Sequence, residues 1–85
     1  MVRKDVQIKP DIWLHTKSVA EFVQKASDYK SAIWIQKDDK RANGKSMLGI
    51  LALEIAESAS VTIIADGEDE EIAVKKLGEY ISSNA

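Results

Sequence analysis

The stretch Ser60-Val61-Thr62-Ile63-Ile64-Ala65-Asp66-Gly67-Glu68-Asp69-Glu70-Glu71 decides how the rest of the chain is read. Its first half is rich in β-branched residues, which suit a pleated, half-buried surface, and predicts a strand over 60–65. Asp66-Gly67 ends it, because both residues favour turn conformations. The acidic run that follows opens a helix, where the positive end of the helix dipole favours negative charge. That helix offers Ile72, Val74, Leu77, Tyr80 and Ile81 to a core. The acidic run itself is read as a solvated, dipole-matched first turn with no catalytic role. A strand turned tightly into an amphipathic helix is part of a layered fold, and the remaining chain must supply the partner strands and helices.

Upstream of this stretch, Val2, Val6 and Ile8 alternate loosely with polar residues before Pro10-Asp11, predicting a first strand over 2–9. Val19, Phe22, Val23 and Ala26 fall at i, i+3, i+4 and i+7, the spacing of one helix face, and that helix ends near Asp28. Ala32-Ile33-Trp34-Ile35-Gln36-Lys37 predicts a second strand, with Trp34 read as a core residue. Polar residues 37–40 turn the chain into a short arm around Arg41-Ala42. Asn43-Gly44 fits a hairpin turn, but Ser46 followed by Met47, Leu48, Ile50, Leu51 and Ile55 favours a loop leading into a short apolar helix capped by Ser46. The order is β-α-β-β-α-β-α. The fold class is α+β: a two-layer open-faced sandwich, its four-stranded, mainly antiparallel sheet covered on one face by three helices.

The 85 residues leave room for a single domain over 1–85 with one core. A net charge of −2 gives no long-range attraction for nucleic acid, and no basic cluster or 18-residue apolar run points to a membrane. The chain has no cysteine and one histidine, too little for a disulfide framework or a structural metal, and no cofactor is implied. With no signal-peptide pattern at the N-terminus, a cytoplasmic location is expected.

That one histidine, His15, stands between a predicted strand and a predicted helix start, where backbone N–H groups lack intrahelical acceptors. An anion is favoured there, so His15 is a candidate phosphoryl acceptor, with Thr16, Lys17 and Ser18 supplying backbone donors and Lys17 a cation. A solvent-facing loop histidine without chemistry is the competing reading of the position alone.

The segment Leu14-His15-Thr16-Lys17-Ser18-Val19-Ala20 resembles the active-site motif of the HPr phosphocarrier family, Gly-Leu/Ile-His-Ala/Thr-Arg-Pro-Ala. Lys45-Ser46-Met47-Leu48-Gly49-Ile50-Leu51-Ala52-Leu53 resembles the family's regulatory serine and its following helix, Lys-Ser-Ile-Met-Gly-Val-Met-Ser-Leu, matching at Lys45, Ser46, Gly49 and Leu53. The stretch from Val61 to Val74 is similar to the family's last strand and helix start. The resemblance spans the chain, with His15 and Ser46 at the family's spacing. It implies a transient phosphohistidine at His15, loaded by an Enzyme I-like donor and unloaded to a sugar-specific acceptor component. It also implies regulation through Ser46 by a serine kinase or phosphorylase, a transcription regulator among the partners, and a monomeric carrier that is not an enzyme on small substrates. Met47, Leu48 and Leu51, with Trp13 beside the histidine, would form the docking patch; the alternative for the three helix residues is burial in the core.

The departures are Trp13 for the motif's glycine, Lys17-Ser18 for its Arg-Pro, and Glu54 and Ser58 for two glycines after the second helix. Lysine is a flexible point charge where arginine is a planar fork. Ser18-Val19-Ala20-Glu21 also fits a capping box, which would start the first helix later and occupy the donors itself. Hence the rival expectation of an HPr-like regulatory or binding module that no longer transfers efficiently. The third reading is an unrelated small α+β domain.

Overall fold

The computed structural model describes residues 1–8, 16–53 and 60–83. Strand β1 spans Val2–Gln7, helix α1 Thr16–Ser27, β2 Ala32–Lys37, β3 Lys40–Asn43, α2 Met47–Ala52, β4 Ser60–Asp66 and α3 Glu70–Ser83. The strands form one sheet in the order β1-β4-β2-β3, every neighbouring pair antiparallel. The strand that opened the sequence reading, β4, is central and pairs on both sides. This is the expected α+β open sandwich in the expected element order. Strand β1 is shorter than its predicted span, and Lys9 lies outside the described residues.

The sheet register follows from alternation. Val6 pairs with Val61, Lys4 with Ile63, Ile33 with Ala65 and Ile35 with Ile63, so these residues share the face under the helices. Phe22 and Ala26 of α1, Ile50 of α2, and Ala73, Leu77 and Ile81 of α3 close over it, all essentially inaccessible to solvent. Burial of a side chain such as Phe22 is the main driving force of such a layer, worth roughly 1.5–3 kcal/mol each.

Trp34 corrects the sequence reading. Ile33 and Ile35 take the core face of β2, so pleating sends Trp34 to the open face, where it is half-buried beside its cross-strand neighbour Ile64. The Arg41 guanidinium lies 5.7 Å from its ring centre, a cation–π arrangement. Ile72 also departs from expectation. It is 49 % exposed because Ala73 and Val74 carry the buried stripe at the start of α3. Tyr80 is half-buried at the edge of the core.

The acidic run does more than match a dipole. Asp69 accepts the Lys30 and Ser31 N–H groups at 2.9 Å each and also the Ser31 hydroxyl, which clamps the α1–β2 loop to the start of α3. Those bonds hold the Asp69 carboxyl below its ordinary range, the Ser31 hydroxyl contributing most. Glu70 accepts the Gly67 N–H at 3.0 Å, which lowers its pKa likewise. Gly67 itself has φ +156°, and a Cβ there would sit 2.6 Å from the Ser31 Cα, so only glycine fits this close approach.

Candidate functional site

Thr16 is the first residue of α1, which places Thr16, Lys17 and Ser18 in its first turn. The opening N–H groups of an α-helix have no intrahelical acceptor. His15, Leu14 and Trp13 lie outside the described residues. Lys17 is exposed and Ser18 half-buried. The first turn of α1 contains no acidic residue, so no carboxylate of that turn competes for the donors.

The capping box expected from Ser18 and Glu21 does not form. The helix begins two residues before Ser18, so Ser18 sits within the first turn instead of capping it. Glu21 does not fold back to the helix start, because its Oε2 accepts the Tyr80 hydroxyl from α3 at 3.1 Å. The same hydroxyl lies 3.1 Å from the Ser18 carbonyl oxygen. A tertiary hydrogen bond has replaced the local one that the sequence offered.

Ser46 stands where the sequence placed it, as the N-cap of α2. Its backbone is extended (φ −119°, ψ 111°) and its Oγ accepts the Gly49 N–H at 3.1 Å. A Cβ at position 49 would lie 3.3 Å from that Oγ, so Gly49 leaves the hydroxyl its space. The approach to Ser46 is held on both sides. Asn43 Oδ1 accepts the Lys45 N–H at 2.8 Å, and Lys45 Nζ donates to the Tyr29 carbonyl at 2.8 Å, tying this loop to the end of α1.

The three apolar residues proposed for docking divide. Leu48 is 81 % exposed and Leu51 44 % exposed, whereas Met47 packs partly buried against the core. Helical spacing explains the division, since Met47 and Ile50, three apart, share the face turned to the sheet. Glu54, Ile55 and Ser58 lie outside the described residues.

A cleft of about 470 Å³ opens between the C-terminal part of α1 and α3, lined by Lys25, Asp28, Tyr29, Lys76 and Tyr80 among others. On α1 this lining begins at Lys25, nine residues and roughly 14 Å beyond Thr16, and Tyr80 links the two, lining the cleft while its hydroxyl reaches the Ser18 carbonyl. The sequence offered Tyr80 to the core, placed Asp69 in a solvated acidic turn and gave Lys45 as a motif match, and the structure adds to each a hydrogen bond to a residue distant in sequence, which no local pattern announces.

The family model for the PTS HPr component phosphorylation site matches residues 2–83. The chain belongs to the HPr family. It is 42 % identical over 83 residues to the phosphocarrier protein HPr of Borreliella burgdorferi, covering 98 % of this chain and 96 % of that one. It is 37 % identical over 81 residues to the HPr-like protein Crh of Bacillus subtilis, covering 95 % of each chain. Among solved structures it superposes on the phosphocarrier protein HPr of Bacillus anthracis with a TM-score of 0.90 at 37 % identity, covering 95 % of this chain and 96 % of that one. HPr proteins are phosphocarriers that work with protein partners, not enzymes on small substrates. Among the described residues, no helix is long and apolar enough to cross a membrane.

Proposed function

We propose that this chain is a cytoplasmic, monomeric phosphocarrier in which His15 accepts a phosphoryl group from an Enzyme I-like donor and passes it to a sugar-specific acceptor protein. The lone pair of an unprotonated ring nitrogen of His15 forms the new bond to phosphorus as the bond to the donor atom breaks. Unloading reverses these roles, with the acceptor as nucleophile. The N–H groups of Thr16, Lys17 and Ser18 take the added negative charge, and the Lys17 ammonium offsets part of it. The observation that carries this reading is that α1 opens at Thr16, directly after His15, with no acid in its first turn.

Leu48 and Leu51, exposed on α2, and Trp13 beside the histidine form the surface on which protein partners dock. Phosphorylation of Ser46 would keep an acceptor oxygen for the Gly49 N–H while adding about two negative charges at pH 7 beside that surface. Acidic partners would then be repelled. The test is incubation with phosphoenolpyruvate and Enzyme I followed by intact mass. An acid-labile gain of one phosphoryl group that is absent from His15→Ala is expected; no gain in the unaltered chain removes the carrier reading.

The second reading, an HPr-like regulatory module with weak transfer, is favoured by Lys17-Ser18 in place of the motif's Arg-Pro and by the likeness to the HPr-like protein Crh. Lys17→Arg, which supplies the planar fork and keeps the Ser18 N–H, separates the two. A several-fold rise in transfer assigns the weakness to this position, and an unchanged rate leaves the carrier reading with its native residues.

A further inference from the structure

We propose that Tyr80 is a positioning residue for the phosphoryl site, its hydroxyl pinning the first turn of α1 to α3 and holding Glu21 away from the incoming phosphate. This inference rests on the carrier reading of His15. The single proton of the Tyr80 hydroxyl is shared between the Ser18 carbonyl and Glu21 Oε2, each 3.1 Å away. Ser18 is the third residue of α1, so this bond grips the very turn whose N–H groups would hold the phosphate. Position 18 carries serine, which leaves the backbone torsion freer than a proline would. A tie from another helix restricts the turn in its place.

The second half of the role is electrostatic. Lys17 and Glu21 are four residues apart, the spacing at which oppositely charged side chains meet on a helix surface. A Glu21 released from Tyr80 would be able to pair with Lys17 or lie near the helix start, where its charge opposes a dianionic phosphoryl group. In the structure Glu21 faces α3 instead, and Lys25, one turn further on, places its Nζ 5.2 Å from the centre of the Tyr80 ring. The acid is therefore bonded to a phenol whose ring carries a cation on its face. Burial, and next Glu21, push the Tyr80 phenol above its ordinary pKa, which keeps the hydroxyl a donor across the physiological range.

Tyr80→Phe removes the hydroxyl and leaves the ring, so the packing at the edge of the core survives. Two measurements separate this role from the carrier reading. Hydrogen exchange of the Ala20, Glu21 and Phe22 amides, which bond the carbonyls of the first turn, is expected to quicken severalfold in Tyr80→Phe, whether or not the chain transfers phosphate. The rate of His15 phosphorylation by Enzyme I and phosphoenolpyruvate is expected to fall about tenfold, a difference of 1.4 kcal/mol in barrier. Most of this fall should be recovered by adding Glu21→Gln, which removes the released charge. Unchanged exchange with unchanged transfer overturns the proposal. So does a slower transfer that Glu21→Gln leaves unrecovered, because that pattern marks general loosening. A native chain that takes up no phosphate overturns the carrier reading and this role with it, whereas a native chain that transfers normally alongside an equally fast Tyr80→Phe overturns this role alone.

Discussion

Helices α1 and α3 begin in opposite ways. The first turn of α3 carries Glu70 and Glu71, and carboxylates there are already spoken for: Glu70 takes the Gly67 N–H, and Asp69 just ahead of the helix takes two amides and the hydroxyl of the α1–β2 loop. The first turn of α1 carries no acid, and its neighbours in sequence are a histidine and a lysine. Acids at one helix start are bonded to neighbouring loops as structural clamps, whereas the other start carries none, and the proposed function gives its opening donors to an external anion. The α2 start is intermediate, closed by the Ser46 hydroxyl that is also the regulatory candidate. On that proposal the anion site is marked less by what is present at a helix start than by the acids that are missing from it.

Breaking the clamp on α3 should have the largest effect. Asp69→Ala leaves the Ser31 N–H and hydroxyl, in a residue only 1 % exposed, without their acceptor, and a fall of the thermal midpoint by several degrees is expected in calorimetry. The same carboxylate fixes a pH dependence. Its folded-state pKa is depressed, as is that of Glu70, so their stabilisation is present above the ordinary carboxylate range and is lost as pH falls through the folded-state values. Asp69→Asn should flatten this acid limb in urea titrations run at successive pH values. A limb of unchanged steepness would assign the acid sensitivity to other carboxylates.

Making α1 begin like α3 sharpens the comparison next. Ser18→Glu places an acid in the first turn, which should favour the helix dipole by about 0.3–1 kcal/mol while slowing phosphorylation of His15 about tenfold. Stability and function would move in opposite directions, and a parallel loss of both would refute the idea that α1 is kept open for an anion. At the intermediate case, Ser46→Ala removes the acceptor for Gly49 N–H and should cost about 1 kcal/mol of unfolding free energy, read from urea midpoints. The smallest effect on stability belongs to Leu48→Asp. The side chain is 81 % exposed, so the unfolding free energy should change by about 0.5 kcal/mol or less, while affinity for Enzyme I, measured by titration calorimetry, weakens.

Much of this architecture was legible in the residues. Alternation and helical spacing placed β4, α1 and α3, because burial on one face imposes a period that survives in the sequence. Trp34 was not legible: a large aromatic in a strand suits either face, and only the pairing of Ile33 and Ile35 with the core face sends it to the open side. The Ser18–Glu21 capping box shows the opposite failure. The local pattern was present, but Tyr80, 59 residues beyond Glu21, took the carboxylate. For Met47, Leu48 and Leu51 the sequence left core and docking surface open, and packing assigned the first to one and the others to solvent.

The central claim is that the amides opening α1 receive the charge placed on His15. The direct measurement is a ¹⁵N–¹H correlation spectrum recorded before and after phosphorylation by Enzyme I and phosphoenolpyruvate. Large downfield shifts of the Thr16, Lys17 and Ser18 amides are predicted, with Gly67 and Glu70 at the clamped helix start unmoved. Phosphorylation that leaves those three amides where they were, or shifts both helix starts alike, would contradict it.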